Sequence, residues 1–203
     1  MTAPVAGGPS AGGRRGGIVF WVVLAGLVLI VALAAGRPPK DGEPLSPSGT
    51  GPLGVKGLVL VLDELGAEGD VTTDVPDDDT DLVVLLADQT TEDQQDELRR
   101  WVEAGGTLVV ADPNSPFTPI PTATTDAFGG LVQSSMAPGI CTIEALADAG
   151  RIDARGGLAY DVAGATGQCY GDDTAAFVVT NASGDGTIVG VGGAGMFTNE
   201  SLD

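Results

Sequence analysis

The chain has 203 residues and carries 9 basic against 28 acidic residues, for a formal net charge of −19. It contains no histidine, which excludes Ser-His and Cys-His nucleophilic catalysis and the usual zinc sites. The acidity also disfavours nucleic acid and anionic lipid headgroups as ligands, because both need a basic protein surface.

The first forty residues combine a basic tail with one long apolar segment. Residues 1–17 are mostly Gly, Ala, Pro and Ser with two arginines, which predicts a disordered cytoplasmic tail. Ile18–Ala35 carries no charge and would form about 27 Å of helix, so we predict a transmembrane helix over 18–36. A cleaved signal peptide is the alternative, because Ala32-Leu33-Ala34 offers a cleavage site behind a basic start.

The charge distribution predicts the topology. Residues 41–203 carry five bases and 28 acids, a net −23, whereas the first forty residues carry +4. The positive-inside rule alone gives nearly a tie, because Arg14 and Arg15 precede the span and Arg37 and Lys40 follow it. The acids favour export of the domain, since a basic tail that stays inside while an acidic domain is exported is the ordinary outcome. An even number of cysteines in an oxidising compartment usually indicates a disulfide, here Cys141–Cys169. We therefore predict a single-pass cell-membrane protein with a cytoplasmic N-terminus and an extracytoplasmic, disulfide-bonded domain.

A linker and a short helix lead into the domain. Residues 37–52 are rich in Pro, Gly and Ser and predict a semi-stiff linker before one domain over 53–203. Leu53–Leu65 predicts a helix that ends at Gly66, and Asp70–Val75 predicts a short strand.

Residues 81–113 predict the strand–helix–strand unit around which the domain is organised. Leu82–Ala87 is a continuous apolar run, typical of a strand covered on both faces, and Thr107–Ala111 is a second such run. Thr91 and Gln94 have the spacing of a capping box at the start of the helix between them. Two apolar strands joined by a crossover helix predict parallel pairing, and hence an α/β fold with a parallel sheet core.

The signals after Pro113 are weaker. We predict one short helix near Ala127–Val132 and another over Ile143–Ala149, capped by Thr142. The candidate strands are Leu158–Tyr160, Gln168–Tyr170, Ala175–Thr180 and Thr187–Val191, the last two forming a hairpin. Met196–Asp203 resembles the beginning of a helix, so we expect the domain to be truncated at its C-terminus.

Asp88 and Asp112 are the candidate site residues. Each follows one strand of the central unit, and ligand sites in such folds favour the carboxyl edge of the sheet. Aspartate is also a common turn and cap residue there. Asp77, Asp79 and Asp81 alternate as calcium-loop ligands do, but the loop lacks the expected glycine and final glutamate, so we interpret it as a solvated acidic turn.

Two stretches match the Gly-x-Gly-x-x-Gly pattern of dinucleotide-binding loops. Gly49-Gly51-Gly54 has no strand before it, and Gly190-Gly192-Gly195 has no full helix after it. We interpret them as a linker and a tight loop. No nucleotide, cofactor, metal site or catalytic residue is therefore predicted.

The order of these parts resembles a known family. The basic tail, the single span, the helix ending in LDELG and the run RRWVEAGGTLVVADP are similar to actinobacterial membrane-anchored proteins of unknown function. Cys141 before IEALADAG, Cys169-Tyr170 and the closing TNESL fit the same resemblance, over roughly residues 10–203. It implies a flavodoxin-like three-layer sandwich similar to class I glutamine amidotransferases, without their catalytic cysteine and histidine.

The resemblance also implies a setting. Such proteins tend to be encoded beside a MoxR-type ATPase and a von Willebrand-like protein, and they continue into a second span. We therefore expect a non-catalytic, membrane-anchored interaction domain of an envelope assembly, with a protein partner and no nucleic acid. The alternative is a carboxylate-based hydrolase, or a binding protein for an envelope sugar or peptide, that uses Asp88 and Asp112. Whether these two side chains converge is the discriminating observation.

Overall fold

The computed structural model describes residues 42–67, 69–77, 79–119, 131–132, 135–154 and 156–202. The predicted transmembrane helix lies outside the described residues, as does most of the predicted helix near Ala127–Val132. Leu131–Val132 itself is a short strand. None of the helices that are described is long and apolar enough to cross a membrane.

The described residues form three α-helices, two 3₁₀ turns and ten strands. The helices are α1 (Lys56–Glu64), α2 (Glu92–Glu103) and α3 (Asn199–Leu202), and the 3₁₀ turns are Glu144–Leu146 and Ala194–Phe197. The strands are β1 (Leu82–Leu85), β2 (Thr107–Val110), β3 (Leu131–Val132), β4 (Ser135–Met136), β5 (Ile152–Asp153), β6 (Gly157–Leu158), β7 (Tyr160–Asp161), β8 (Gly167–Gly171), β9 (Ala175–Ser183) and β10 (Gly186–Val191).

The main sheet is mixed. Its order is β1-β2-β10-β9, and both β7 and β8 pair with β9. Strands β1, β2 and β10 are parallel, with Leu82 and Thr187 both opposite Thr107. Strand β9 runs antiparallel to β10, β7 and β8. The chain therefore has a mixed α/β fold in which the predicted parallel arrangement covers three described strands and the rest of the sheet is antiparallel.

The central strand–helix–strand unit is confirmed. Thr91 caps α2 and forms the expected capping box with Gln94, whose Oε1 accepts from the Thr91 N–H at 2.9 Å. Leu98 and Val102 on the apolar face of α2 are buried in a cluster with β2. Helix α2 ends before Gly105, whose φ of +124° lies in the region that favours glycine. Local signals were therefore sufficient to define this unit.

Strand β1 is less buried than its sequence predicts. Val83 and Leu85 pack on the cluster beneath α2. Leu82 and Val84, which alternate with them, remain 51% and 37% exposed. The prediction that both faces are covered is therefore wrong for Leu82 and Val84. Among the described strands β1 lies at the end of the sheet, and the second face of the run is covered only after β1 ends, where Leu86 packs on the cluster around Ala111.

Two other predicted elements differ from the structure. Residues 69–77 contain no strand, and Val71 is 68% exposed there. The predicted Ile143–Ala149 helix is only a 3₁₀ turn over Glu144–Leu146. The Thr142 hydroxyl oxygen, expected to cap that helix, instead accepts the N–H of Gln168 at 3.0 Å. The Thr142 hydroxyl therefore joins the segment around Glu144–Leu146 to β8 and does not cap a helix.

The predicted disulfide is confirmed. Cys141 and Cys169 are bonded, with their Cα atoms 4.0 Å apart, and Cys169 is fully buried in β8. The next residue, Tyr170, adopts φ +61° and donates its N–H to the Pro138 carbonyl at 2.7 Å. Its hydroxyl donates to the Gly150 carbonyl at 3.1 Å. Cys169 and Tyr170 therefore attach the segment 138–150 to β8. Cys169 holds it through the disulfide to Cys141, and Tyr170 through hydrogen bonds to Pro138 and Gly150.

Asn199 joins the two ends of the described domain. Its Nδ2 donates to the carbonyls of Gly49 at 3.0 Å and Gly51 at 2.7 Å, and its Oδ1 accepts the N–H of Gly57 at 2.8 Å. Gly49 is buried. Residues 42–52 fall within the predicted linker, so this part of the linker packs against the domain that it precedes.

We expect Asn199→Ala to lower the free energy of unfolding by about 1–3 kcal/mol, because it removes the partner of the Gly49 carbonyl and of the Gly57 N–H. The Gly51 carbonyl loses one of its two donors and keeps the N–H of Gly54. Asn199→Asp keeps the acceptor for Gly57 but places a negative charge against two carbonyl oxygens, so it should be at least as harmful. Urea denaturation measures both effects, with the exposed amide change Gln89→Ala as the control. An unchanged midpoint in both Asn199 variants would contradict the assignment.

Candidate functional site

The two predicted site residues meet at the carboxyl edge of the parallel strands. Asp88 follows β1 and Asp112 follows β2, so parallel pairing brings both to the same edge. The backbone N–H of Asp88 donates to Asp112 Oδ2 at 2.8 Å. Both residues are half-buried. The structure therefore gathers the two carboxylates into one hydrogen-bonded site.

The Asp88 carboxylate accepts hydrogen bonds on both oxygens. Oδ1 accepts from the N–H of Thr90 at 2.9 Å and from the Thr90 hydroxyl, while Oδ2 accepts from the Ser115 hydroxyl at 2.7 Å. Burial raises the pKa of Asp88, but the hydrogen bonds from Thr90 and Ser115 outweigh it and hold the pKa below its usual value. Asp88 is thus kept ionised.

The Asp112 carboxylate is also engaged on both oxygens. Oδ2 accepts from Asp88, and Oδ1 accepts from the N–H of Asn114 at 2.9 Å and its amide at 3.3 Å. Burial and the charge of Asp112 raise the pKa of Tyr160 to about 12. The protonated Tyr160 hydroxyl donates to the Val191 carbonyl at 3.0 Å, at the end of β10. Hydrogen bonds therefore join the ends of β1 and β2 through the two aspartates, and the Asp112 charge acts on Tyr160, which is bonded to the end of β10.

This arrangement resembles a turn network more than an acid–base pair. A glycosidase-type mechanism needs one carboxyl whose pKa is raised so that it can donate a proton, and the shift of Asp88 is in the opposite direction. All four carboxylate oxygens already accept hydrogen bonds from the chain itself. Within the described ranges, no group of three or more His, Cys, Asp or Glu residues could hold a metal ion.

The other sequence patterns have packing explanations. Asp77, in the acidic turn, is exposed and accepts from the Thr80 hydroxyl at 2.7 Å. A Cβ on Gly54 would lie 2.2 Å from the Gly49 carbonyl oxygen, and one on Gly190 would lie 2.3 Å from Pro119 Cγ. These positions of the two Gly-x-Gly-x-x-Gly matches therefore require glycine because the chain itself approaches closely.

Sequence reasoning missed the partners of the two carboxylates. Thr90 and Ser115 bind Asp88, and Asn114 binds Asp112. A signal was present: an aspartate two residues before a threonine or asparagine commonly accepts the backbone N–H of that residue in an Asx turn. The link between Ser115 and Asp88 spans 27 positions and had no local signal.

The geometry defines a mixed α/β domain whose sheet edge is closed by two hydrogen-bonded aspartate turns. Residues 46–203 match the family model described as a domain of unknown function, DUF4350, and the chain belongs to that family. No curated protein sequence matches the chain.

Among solved structures, the chain is similar to the exo-beta-1,4-mannosidase Op5Man5 from Opitutaceae bacterium strain TAV5. The identity is 18% and the TM-score is 0.33, over 56% of this chain and 20% of the mannosidase chain. The match thus spans about a fifth of the mannosidase's length.

The hydrogen bonds to Asp88 predict a dependence of stability on pH. Because the folded pKa is lowered, this contribution is present above the unfolded pKa, about 3.9, and is lost as the pH falls through the folded value. Asp88→Asn should therefore make the free energy of unfolding less sensitive to acid below about pH 4. Urea denaturation at a series of pH values tests this, with the exposed Asp70→Asn as the charge-matched control. Equal acid sensitivity in wild type and Asp88→Asn would contradict the expectation.

Proposed function

We propose that the chain is a non-catalytic, membrane-anchored extracytoplasmic domain that binds a protein partner. The observation that supports this most directly is the state of its two best candidate carboxylates. Asp88 and Asp112 accept hydrogen bonds from the chain on every oxygen, and Asp88 is held in its ionised form. A group that must take or give a proton needs an oxygen that can reach the substrate.

The proposal includes the membrane topology, the flavodoxin-like arrangement of the domain and its place in an envelope assembly. The uncharged Ile18–Ala35 segment supports a single span, and the basic Arg14-Arg15 tail before it with the net −23 of residues 41–203 after it supports a domain outside. Three parallel strands with a crossover helix support a flavodoxin-like, amidotransferase-like arrangement. By its resemblance to actinobacterial proteins, the chain would belong to an envelope assembly with a MoxR-type ATPase system.

One observation favours a second candidate function. Asp88 and Asp112 lie together at the sheet edge, joined by the 2.8 Å hydrogen bond from the Asp88 N–H to the Asp112 carboxylate. A carboxylate-based hydrolase, or a binding protein for an envelope sugar or peptide, would use such a pair. This alternative requires the network to open so that one carboxylate exchanges its internal donors for the ligand.

The double variant Asp88→Asn with Asp112→Asn separates the two candidates. We expect it to retain the partner captured in living cells by a photo-crosslinking residue placed at exposed Val71 or Leu65, because neither carboxylate is needed for binding. Each introduced asparagine keeps one acceptor oxygen, which can serve the N–H of Thr90 or of Asn114 in its turn, so we expect the variant to fold with reduced stability, and circular dichroism verifies this. The single variant Asp70→Asn is the control. If the double variant folds and is exported but loses the cellular role, while Asp70→Asn keeps it, the hydrolase is favoured.

A further inference from the structure

The outer edge of β1 presents backbone groups that no described residue pairs. The carbonyls of Asp81 and Leu85 accept the N–H groups of Thr107 and Ala111, so the odd-numbered residues of this strand point their backbone groups toward β2. Backbone groups alternate in direction along a strand. The N–H and C=O groups of Leu82 and Val84 therefore point away from the sheet.

The same two residues are apolar and exposed. Leu82 and Val84 are 51% and 37% exposed, and as alternate residues they lie on one face. Natural edge strands are usually protected by proline, lysine, a bulge or a covering element. Strand β1 has the sequence LVVL and contains neither proline nor a charge. It thus combines an open edge with an apolar face, the combination to which extended peptides add as an extra strand.

Charge identifies which kind of segment would add to this edge. Exposed Asp74, Asp77, Asp79 and Asp81 precede β1. A second copy of the chain would bring two such acidic stretches together and would be repelled, because residues 41–203 carry −23. A segment with lysine or arginine beside its apolar residues would instead be attracted.

We propose that the β1 edge is a docking site for an extended segment of a protein partner, with alternating β-branched residues and a basic flank. The segment pairs with the outward N–H and C=O groups of Leu82 and Val84, and its β-branched side chains pack beside theirs. Its basic flank lies against the Asp74–Asp81 turn. The inference rests on the proposed binding function and names where the partner binds and by what chemistry.

A peptide titration of the full chain in detergent micelles tests the site. The probe is fluorescently labelled Lys-Lys-Val-Thr-Val-Thr-Lys-Lys, and its anisotropy reports binding. N-methylation of every second peptide residue removes the donors for one edge and should weaken binding about tenfold, as should replacement of all lysines by glutamate. Raised salt should weaken binding of the lysine peptide.

Variants of the chain give a matched comparison. The Val84 N–H points outward, so Val84→Pro removes an edge donor without removing a bond to β2 and should weaken binding about tenfold. Val84→Thr keeps the N–H and the β-branched shape, so it should weaken binding far less than Val84→Pro does. If Val84→Pro fails to fold, the N-methylated peptide still tests the same hydrogen bonds.

Three results would overturn the proposal. They are equal affinity for the parent and N-methylated peptides, equal affinity for the lysine and glutamate peptides, and slow amide exchange at Leu82 and Val84 without any peptide. The last would mean that another segment of the chain already pairs with this edge. If the peptide fails while in-cell crosslinking still captures a partner, the docking site is rejected and the proposed binding function stands.

Discussion

Replacement of both Cys141 and Cys169 by alanine is expected to lower the free energy of unfolding by about 3–4 kcal/mol. The disulfide closes a loop with a sequence separation of 28, and the entropy that it removes from the unfolded chain corresponds to this amount. The loss is large beside the typical stability of a domain, about 5–15 kcal/mol. Urea denaturation under oxidising conditions measures it directly.

The choice of replacement separates the crosslink from burial. Cys169 is fully buried among Phe177, Val178 and Val191, so serine would add the cost of an unbonded hydroxyl to the loss of the bond. Serine variants should therefore be less stable than alanine variants. Wild type treated with a phosphine reductant should approach the alanine pair. A change of less than about 1 kcal/mol on full reduction would show that the crosslink contributes little.

Gly192→Ala is expected to destabilise the domain by about 3 kcal/mol, at the upper end of the range for overpacking. An added Cβ would lie 2.0 Å from the Leu158 carbonyl oxygen and 2.5 Å from Phe177 Cδ2. The backbone cannot easily move away, because the Gly192 N–H donates to the Phe177 carbonyl and its own carbonyl accepts from Leu158. Thermal and urea unfolding measure the effect.

Gly150→Ala is the matched control for this change. No atom lies within 4 Å of the position that its Cβ would take, and its φ is outside the positive region. It should leave stability nearly unchanged or raise it slightly, because alanine restricts the unfolded chain. Equal stability of the Gly192 and Gly150 variants would mean that the backbone after β10 shifts to make room for the added methyl group. Close packing would then not be the reason for glycine at position 192.

The sequence was most informative where structure depends on near neighbours. Thr91 and Gln94 are three positions apart, and Leu98 and Val102 are four apart, so the start and the buried face of α2 follow from adjacent turns of one helix. The parallel pairing of β1 with β2 followed from the crossover helix. Both aspartates could be assigned to one edge of the sheet for the same reason.

Distant contacts set the features that the sequence did not reveal. Whether Leu82 and Val84 are covered depends on what packs on the second face of β1, which its own residues do not specify. The Thr142 hydroxyl had two possible uses, and the one it takes, with Gln168, lies 26 positions away. The hydrogen bond from the Gly57 N–H to Asn199 Oδ1 joins residues 142 positions apart. No local pattern distinguishes this asparagine from an exposed one.

The position of β10 in the sheet has a consequence for synthesis of the protein. Thr187 of β10 pairs with Thr107 of β2, so the strand beside the central unit is made long after it. Until residue 191 has left the ribosome, the edge of β2 that pairs with β10 lacks that strand, although α2 and its capping box can already form. A nascent chain therefore exposes the unpaired edge of β2 while residues 111–191 are synthesised, and a chaperone could bind that edge during this interval.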